Sequence, residues 1–427
     1  MSASQAAPAF FLAVVVILAV CKLVSAVCVR LGQPPVVGEM IAGVLLGPSL
    51  LGLVAPGLQT TLFPDGVRPL LYVGGQIGLV VFMFGAGYEF SLRAIQGSKR
   101  AVAAISLAGT VVPLILGVVV AVFGDRWTPI FKPGVSPVVS AAFIAVAIAI
   151  TAFPMMARII TERGLSGTRF GSLALACGAL DDALAWVLLA VVLGMHTGSP
   201  GPVLLAVGGA VVFALVLATV GRRVLGKAMT APKVTGDQRV LLTALILFAA
   251  AWFTDVIGLY AVFGAFCVGI AFPRNEAADG VMAKLMPLGR IVFLPLFFTY
   301  SGLNTRFALL ADPRLLTFTV VCVIASIIGK FGACWGAARL VGEPQAVAVR
   351  VGALINARGL MQLIAINVGL QAGIVGSALF TVLVVDALVT TIMTAPVLSW
   401  LDRRDARRYP ESGSAPELLL SPQTAKP

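Results

Sequence analysis

Three stretches of this 427-residue chain contain no Asp, Glu, Lys or Arg: residues 101–124, 133–157 and 359–385, which are 24, 25 and 27 residues long. A helix needs about 20 consecutive apolar residues to cross the roughly 30 Å hydrocarbon layer of a bilayer, so each stretch is long enough. Charged residues make up 11% of the chain and hydrophobic residues 59%. A typical soluble domain carries about 25% charged residues, and a water-soluble globular fold is excluded. A transmembrane β-barrel is excluded too. Its strands alternate apolar and polar over about 10 residues, whereas residues 114–122 here are apolar on every side.

Splitting the sequence at Gly, Pro and charge clusters predicts thirteen spans: residues 8–29, 35–53, 70–90, 101–123, 137–161, 168–194, 202–221, 239–254, 257–273, 286–303, 315–338, 346–371 and 375–400. The expected fold class is an all-α polytopic membrane protein. Residues 402–427, rich in Ser, Pro and Glu, read as a disordered cytoplasmic tail. The N-terminus lacks the basic region of a cleavable signal and reads as the start of the first span.

Lys and Arg outnumber Asp and Glu by 30 to 18. Of those 30, 21 fall in the tail, in loops after odd-numbered spans or in the span ends that flank those loops, and five in loops after even-numbered ones. That bias places the C-terminus in the cytoplasm and the N-terminus outside, in what is expected to be a bacterial plasma membrane. It also accounts for the net charge of +12 without a nucleic-acid partner.

Six spans, one spacer and six more spans leave the second half inserted upside down relative to the first, the inverted repeat of secondary transporters. Under that pairing the fifth and twelfth spans correspond, and both are interrupted. The fifth carries Thr151 and Pro154 in AITAFPMMAR, and the twelfth carries Asn356, Arg358 and Gly359 in LINARGLMQL. A proline alone can simply kink a packing helix. Interruptions at matching positions of two halves point instead to a binding site.

An ionisable residue at the centre of a spanning helix costs about 2.5–3.5 kcal/mol on insertion scales, which makes each one a functional suspect. Here they are Glu39, Asp181, Asp182, Lys330, Arg358 and Asp386. Asp181 and Asp182 lie side by side in LACGALDDALAWVLLA, about 100° apart around a helix. One can face an ion while the other faces a partner, and Lys330 is the available cation. Two like charges this close in an apolar setting resist simultaneous ionisation, as a proton-coupled carrier requires. A static Asp–Lys salt bridge would account for only one of the two acids. Arg358 is expected to hold the crossing together, and Glu39, near the end of its span, to serve gating or packing. Asp386, with Thr390 and Thr391 one turn away, reads equally as a second titrating site or as a satisfied structural acid.

The six cysteines lie in apolar stretches without C-x-x-C spacing, and the lone His196 has no obvious partner, so neither a metal centre nor a disulfide framework is expected. No phosphate-binding loop occurs, so neither ATP nor another cofactor is expected. The Gly-rich stretches 74–78 and 264–269 are expected to allow close helix contact.

GQPPVVGEMIAGVLLGPSLLG, ITAFPMMARIITERGL, the Asp181–Asp182 pair followed by Trp186, GLYAVFGAFCVGIAFP, PLFFTYSGL and INARGLMQLIAINVGL, in this order, resemble the monovalent cation:proton antiporter-2 family over residues 10–401. The resemblance implies a sodium/hydrogen exchanger domain over 1–401. Its scaffold and dimerisation helices would lie in 8–90 and 202–303, and its mobile ion-carrying helices in 101–194 and 315–400. Asp182 would be the main carboxylate for the transported Na+ or K+, with Asp181 exchanging a salt bridge with Lys330. Thr151 and the backbone near the break would be additional ligands, and the protein would be a homodimer in the lipid bilayer. The chain departs from the family where Gln362 replaces a common Glu and where the acid Asp386 replaces an apolar residue, and no C-terminal nucleotide-binding domain is expected to follow residue 401.

The activity expected is exchange of a monovalent cation for protons by alternating access, and not enzymatic catalysis. The site would cross when neutralised by either species and not when empty. The alternatives are a carrier of the same fold for an organic anion or drug and, further off, a cation channel, although no T-V-G-Y-G-like filter is present. An intramembrane aspartyl protease would resemble Y-D and G-x-G-D motifs, which are absent.

Overall fold

The computed structural model describes residues 3–89, 99–165, 167–198 and 200–408, and within them every regular element is helical. Among the described residues twelve helices are long and apolar enough to cross a membrane, and they fall on twelve of the thirteen expected spans. The ninth span is a helix of only 11 residues, Ala261–Ala271. At 1.5 Å per residue it is about 16 Å long. It is shortened because its approach is irregular: Gly258 takes φ 83° and Tyr260 φ 65°, both incompatible with a continuing α-helix.

Other helices outrun their expected ends. The tenth span begins at Glu276, and the seventh continues to Thr230 through a π-helical turn at Leu217–Gly221. Charged and polar residues had marked these stretches as loops, but a helix can leave the hydrocarbon layer without ending. The thirteenth span also runs on, as the helix Ser377–Arg408, so residues 402–408 are not a disordered tail. The reason is electrostatic. Arg350 is buried on the twelfth span, and its guanidinium donates to Asp402 at 3.0 Å and Asp405 at 2.7 Å, one turn apart on that helix. Residues 409–427 of the expected tail lie outside the described residues.

The chain divides into two compact units, Met1–Ser25 with Glu39–Ser91 and Leu193–Thr305, and Ala26–Gly38 with Leu92–Val192 and Arg306–Pro427. In the first unit helices meet backbone to backbone. A Cβ on Gly302 would sit 1.9 Å from the Gly43 carbonyl oxygen, and one on Gly43 would sit 2.2 Å from that of Phe298. Both glycine-rich stretches make such contacts: Gly75 and Gly78 lie against the Phe297 and Phe293 backbone, and Gly269 against that of Phe84. Between hydrocarbon-soluble surfaces this close dispersion contact, and not water exclusion, holds helices together.

The second unit is built around two interrupted spans. The fifth consists of helices Pro137–Ala149 and Phe153–Glu162, separated by residues 150–152. The twelfth consists of Gln345–Ile355 and Leu360–Gln371, separated by residues 356–359. The breaks join through backbone, the Ala152 N–H donating to the Ala357 carbonyl at 3.1 Å. Gly359 closes the second break at φ 66°, ψ −118°, a conformation that essentially only glycine adopts. Such backbone is tolerated at membrane depth only inside protein, and residues 350–369 of the twelfth span are all buried.

Gly302→Ala is expected to lower the detergent-solubilised thermal midpoint by several degrees, through an overpacking cost of about 1–3 kcal/mol or more. Gly280→Ala, where nothing lies within 4 Å, is expected to leave the midpoint unchanged or slightly raised. Equal midpoints for the two variants would show that the backbone contact does not govern packing of the first unit.

Candidate functional site

Asp181 and Asp182 project from the sixth span, Arg169–Thr197, away from its exposed face, where Leu180, Leu184 and Val187 lie. Both carboxylates are buried, 3% and 1% exposed. Adjacent positions on a helix differ by about 100°, and their surroundings differ completely.

Asp181 accepts from three side chains. The Thr151 hydroxyl, in the break of the fifth span, donates to its Oδ2 at 2.9 Å, and Lys330 Nζ donates to the same oxygen at 3.0 Å. The Ser106 hydroxyl, on the fourth span Lys99–Asp125, donates to Oδ1. Lys330 itself sits in a π-helical turn, Ile328–Gly332, of the eleventh span and is fully buried. Its other two ammonium hydrogens go to the carbonyls of Gly109 at 2.7 Å and Ala149 at 2.8 Å. The Ala149 carbonyl ends the first half of the fifth span, where the break removes its normal intrahelical donor.

Asp182 is the opposite case: among the described residues no side chain donates to either of its carboxylate oxygens. The backbone N–H of Phe153 is directed at it. That N–H is the first of helix Phe153–Glu162, so the carboxylate looks at a positive helix end. Pro154 stands in the first turn of the same helix, where its missing N–H costs nothing. It therefore starts the second half-helix and does not break an existing one.

The remaining charges form a second cluster. Arg358 is fully buried, and its Nη1 donates to Asp386 Oδ2 at 2.9 Å and its Nη2 to the Ser326 carbonyl at 3.3 Å. Gln362 Nε2 donates to the same Asp386 oxygen at 2.8 Å. Asp386 thus supplies an acid from the thirteenth span beside the residue, Gln362, at which the resemblance led one to expect a Glu. Its expected partners turn elsewhere. Thr390 donates to the Asp386 carbonyl at 2.7 Å and Thr391 to that of Ala387 at 2.6 Å, as ordinary intrahelical back-bonds. Asn356 caps the first half of the twelfth span, with its amide 3.5 Å from the Met393 sulfur. Glu39 belongs to the first unit, where its charge lies near Cys21.

Thr151, Asp181 and Lys330 are thus brought into direct contact, and Asp182 faces the first turn to which Pro154 belongs. Arg358, Gln362 and Asp386 form a group of their own. Ser106 was not singled out in the sequence. Its only signal is that, with Thr110, it is one of the few hydroxyls in an otherwise apolar span.

The family described as "Sodium/hydrogen exchanger, transmembrane" matches residues 15–401. A Na(+)/H(+) antiporter, NhaS4, of Synechocystis sp. is 34% identical over 90% of this chain and 95% of its own length. The K(+)/H(+) antiporter 1 of Saccharomyces cerevisiae is 30% identical over 89% of this chain, which spans 45% of that protein. The plant cation/H(+) antiporters it matches are likewise about twice as long as the aligned region. The solved sodium proton antiporter MjNhaP1 of Methanocaldococcus jannaschii has the same fold, with a TM-score of 0.66 over 94% of this chain and 97% of that one at 15% identity.

Removing one member of a buried ion pair strands the other, at about 3–5 kcal/mol. Asp386→Leu is therefore expected to lower the thermal midpoint sharply, and Asp386→Leu with Arg358→Met to recover much of the loss. A double variant as unstable as the sum of its two singles would show that the pair is not coupled.

Proposed function

This chain belongs to the sodium/hydrogen exchanger family, and we propose that it is a secondary active transporter exchanging Na+ or K+ for protons by alternating access. The observation that carries this reading is the asymmetry between the two adjacent acids. Asp181 accepts from Ser106 on one oxygen and from Thr151 and Lys330 on the other, while Asp182 is buried with no side-chain donor on either oxygen. A bare carboxylate in a low-dielectric interior costs several kcal/mol. A proton relieves that cost, and so does a dehydrated alkali cation held by both oxygens. The two compete for one place, which is the requirement for exchange.

Crossing then follows from electrostatics. Neutralised by either species, the site moves with its unit through a low-dielectric surrounding, whereas the empty, charged site does not. Futile return is suppressed, and the two gradients are coupled. The second unit, which holds Asp181, Asp182 and Lys330, is the ion-carrying part, and the first unit is the scaffold through which a homodimer forms. The matching breaks of the fifth and twelfth spans are the two crossing helices of an inverted repeat. The excess of Lys and Arg in odd loops puts the C-terminus in the cytoplasm.

A carrier of organic anions would need a free cationic group. Arg358, the one candidate at a break, is committed to Asp386 and the Ser326 carbonyl, which weighs against that reading.

In proteoliposomes with an interior pH dye, Asp182→Asn is expected to abolish Na+- and K+-driven proton flux while keeping the wild-type thermal midpoint; undiminished flux would refute the assignment. Lys330→Ala is expected to retain some exchange with a changed charge moved per cation. An unchanged charge would remove Lys330 from the coupling.

A further inference from the structure

We propose that Pro113 is a positioning residue for Lys330, setting how readily that ammonium parts from Asp181. Pro113 lies inside the fourth helix, Lys99–Asp125. A proline in a helix interior has no N–H for the carbonyl four residues earlier, and its ring pushes that carbonyl outward. Four residues before Pro113 is Gly109, and the Gly109 carbonyl is the shortest of the three acceptors of Lys330, at 2.7 Å.

Two further observations place the proline and the lysine in one device. A Cβ on Gly329, the residue before Lys330, would lie 3.2 Å from Pro113 Cα, so the eleventh span rests against the proline at the turn that carries the lysine. A Cβ on Gly109 would lie 2.5 Å from the Cys334 sulfur and 3.8 Å from Lys330 Nζ, so the exposed carbonyl belongs to a residue small enough to let the eleventh span approach. The helix defect, the bare residue that bears the carbonyl and the glycine beside the lysine all serve one hydrogen bond. Gly109 and Ala149 together give the ammonium a place to remain charged when Asp181 lets go of it.

The consequence rests on the exchange reading given above. In Pro113→Ala an N–H returns and takes the Gly109 carbonyl back into the helix. Lys330 then has only the Ala149 carbonyl besides Asp181 and clings to the carboxylate. Cation binding that draws on Asp181 becomes harder. Alanine is the best helix former, so the span itself is not endangered.

The test is a double-mutant cycle in proteoliposomes, with Na+ and K+ titrated separately. Pro113→Ala alone is expected to raise the apparent KM for the cation about tenfold, the order expected for one hydrogen bond to a charged group, with kcat nearly unchanged. In the Lys330→Ala background the same substitution is expected to shift KM by less than about twofold, because the group through which it acts is gone. Equal shifts in both backgrounds would reduce Pro113 to packing, and an unchanged KM in the single variant would overturn the proposal outright. Should Lys330→Ala transport too slowly to titrate, the rise in thermal midpoint on adding Na+ or K+ reads binding in all four proteins and carries the same two outcomes. Failure of the exchange reading would show elsewhere, as an absence of Na+- or K+-driven proton flux in the wild-type protein.

Discussion

Three acceptors from three spans close on one ammonium group. Lys330 Nζ has three hydrogens and meets the Gly109 carbonyl of the fourth span, the Ala149 carbonyl of the fifth and the Asp181 carboxylate of the sixth, all within 2.7–3.0 Å. A lone charge taken out of water costs several kcal/mol, and only full hydrogen bonding makes it tolerable. The backbone has to supply acceptors, and a regular helix has none to spare. Both carbonyls are free because a helix is locally defective, at a proline in one case and at a break in the other. The irregularities of this unit and its buried lysine therefore require each other.

The same arithmetic of charge isolates Asp182. The sixth and thirteenth spans bury three carboxylates, and the eleventh and twelfth bury three cations, of which Arg350 is taken by Asp402 and Asp405 and leaves two. Lys330 takes Asp181, and Arg358 takes Asp386, a pair to which Gln362 adds a further donor. Asp182 is left over, beside its committed neighbour and opposite the first N–H of a half-helix. A surplus carboxylate in a dry site is unstable as a permanent charge. It is suited to a group that hands one small cation over for another.

Much of this was legible in the sequence because the bilayer makes buried charge so conspicuous. Asp181, Asp182, Lys330 and the two interruptions stood out against apolar runs, and adjacency on a helix already implied that the two acids face different surroundings. What sequence could not supply is which spans touch. Ser106 reads as an ordinary small residue until the fourth span is laid against the sixth, and Asp386 seemed to belong with its own Thr390 and Thr391 until the twelfth span brought Arg358 to it. Helix ends were misjudged for a related reason. The charges at 402–408 looked like the start of a tail because their partner, Arg350, lies some fifty residues earlier in the chain. Pro154 lies beside a break, but its place in the first turn of the following helix depends on backbone geometry that composition does not encode.

The central claim is that proton and alkali cation compete for one carboxylate. The most direct measurement is the apparent KM for Na+ and K+ from solid-supported-membrane currents of the wild-type protein across a pH series. Competition requires the apparent KM to climb about tenfold for each pH unit on the acid side, with the maximal rate at saturating cation preserved. A KM that stays flat as the proton concentration rises would mean that the two species bind at separate places, and the account built on Asp182 would be wrong.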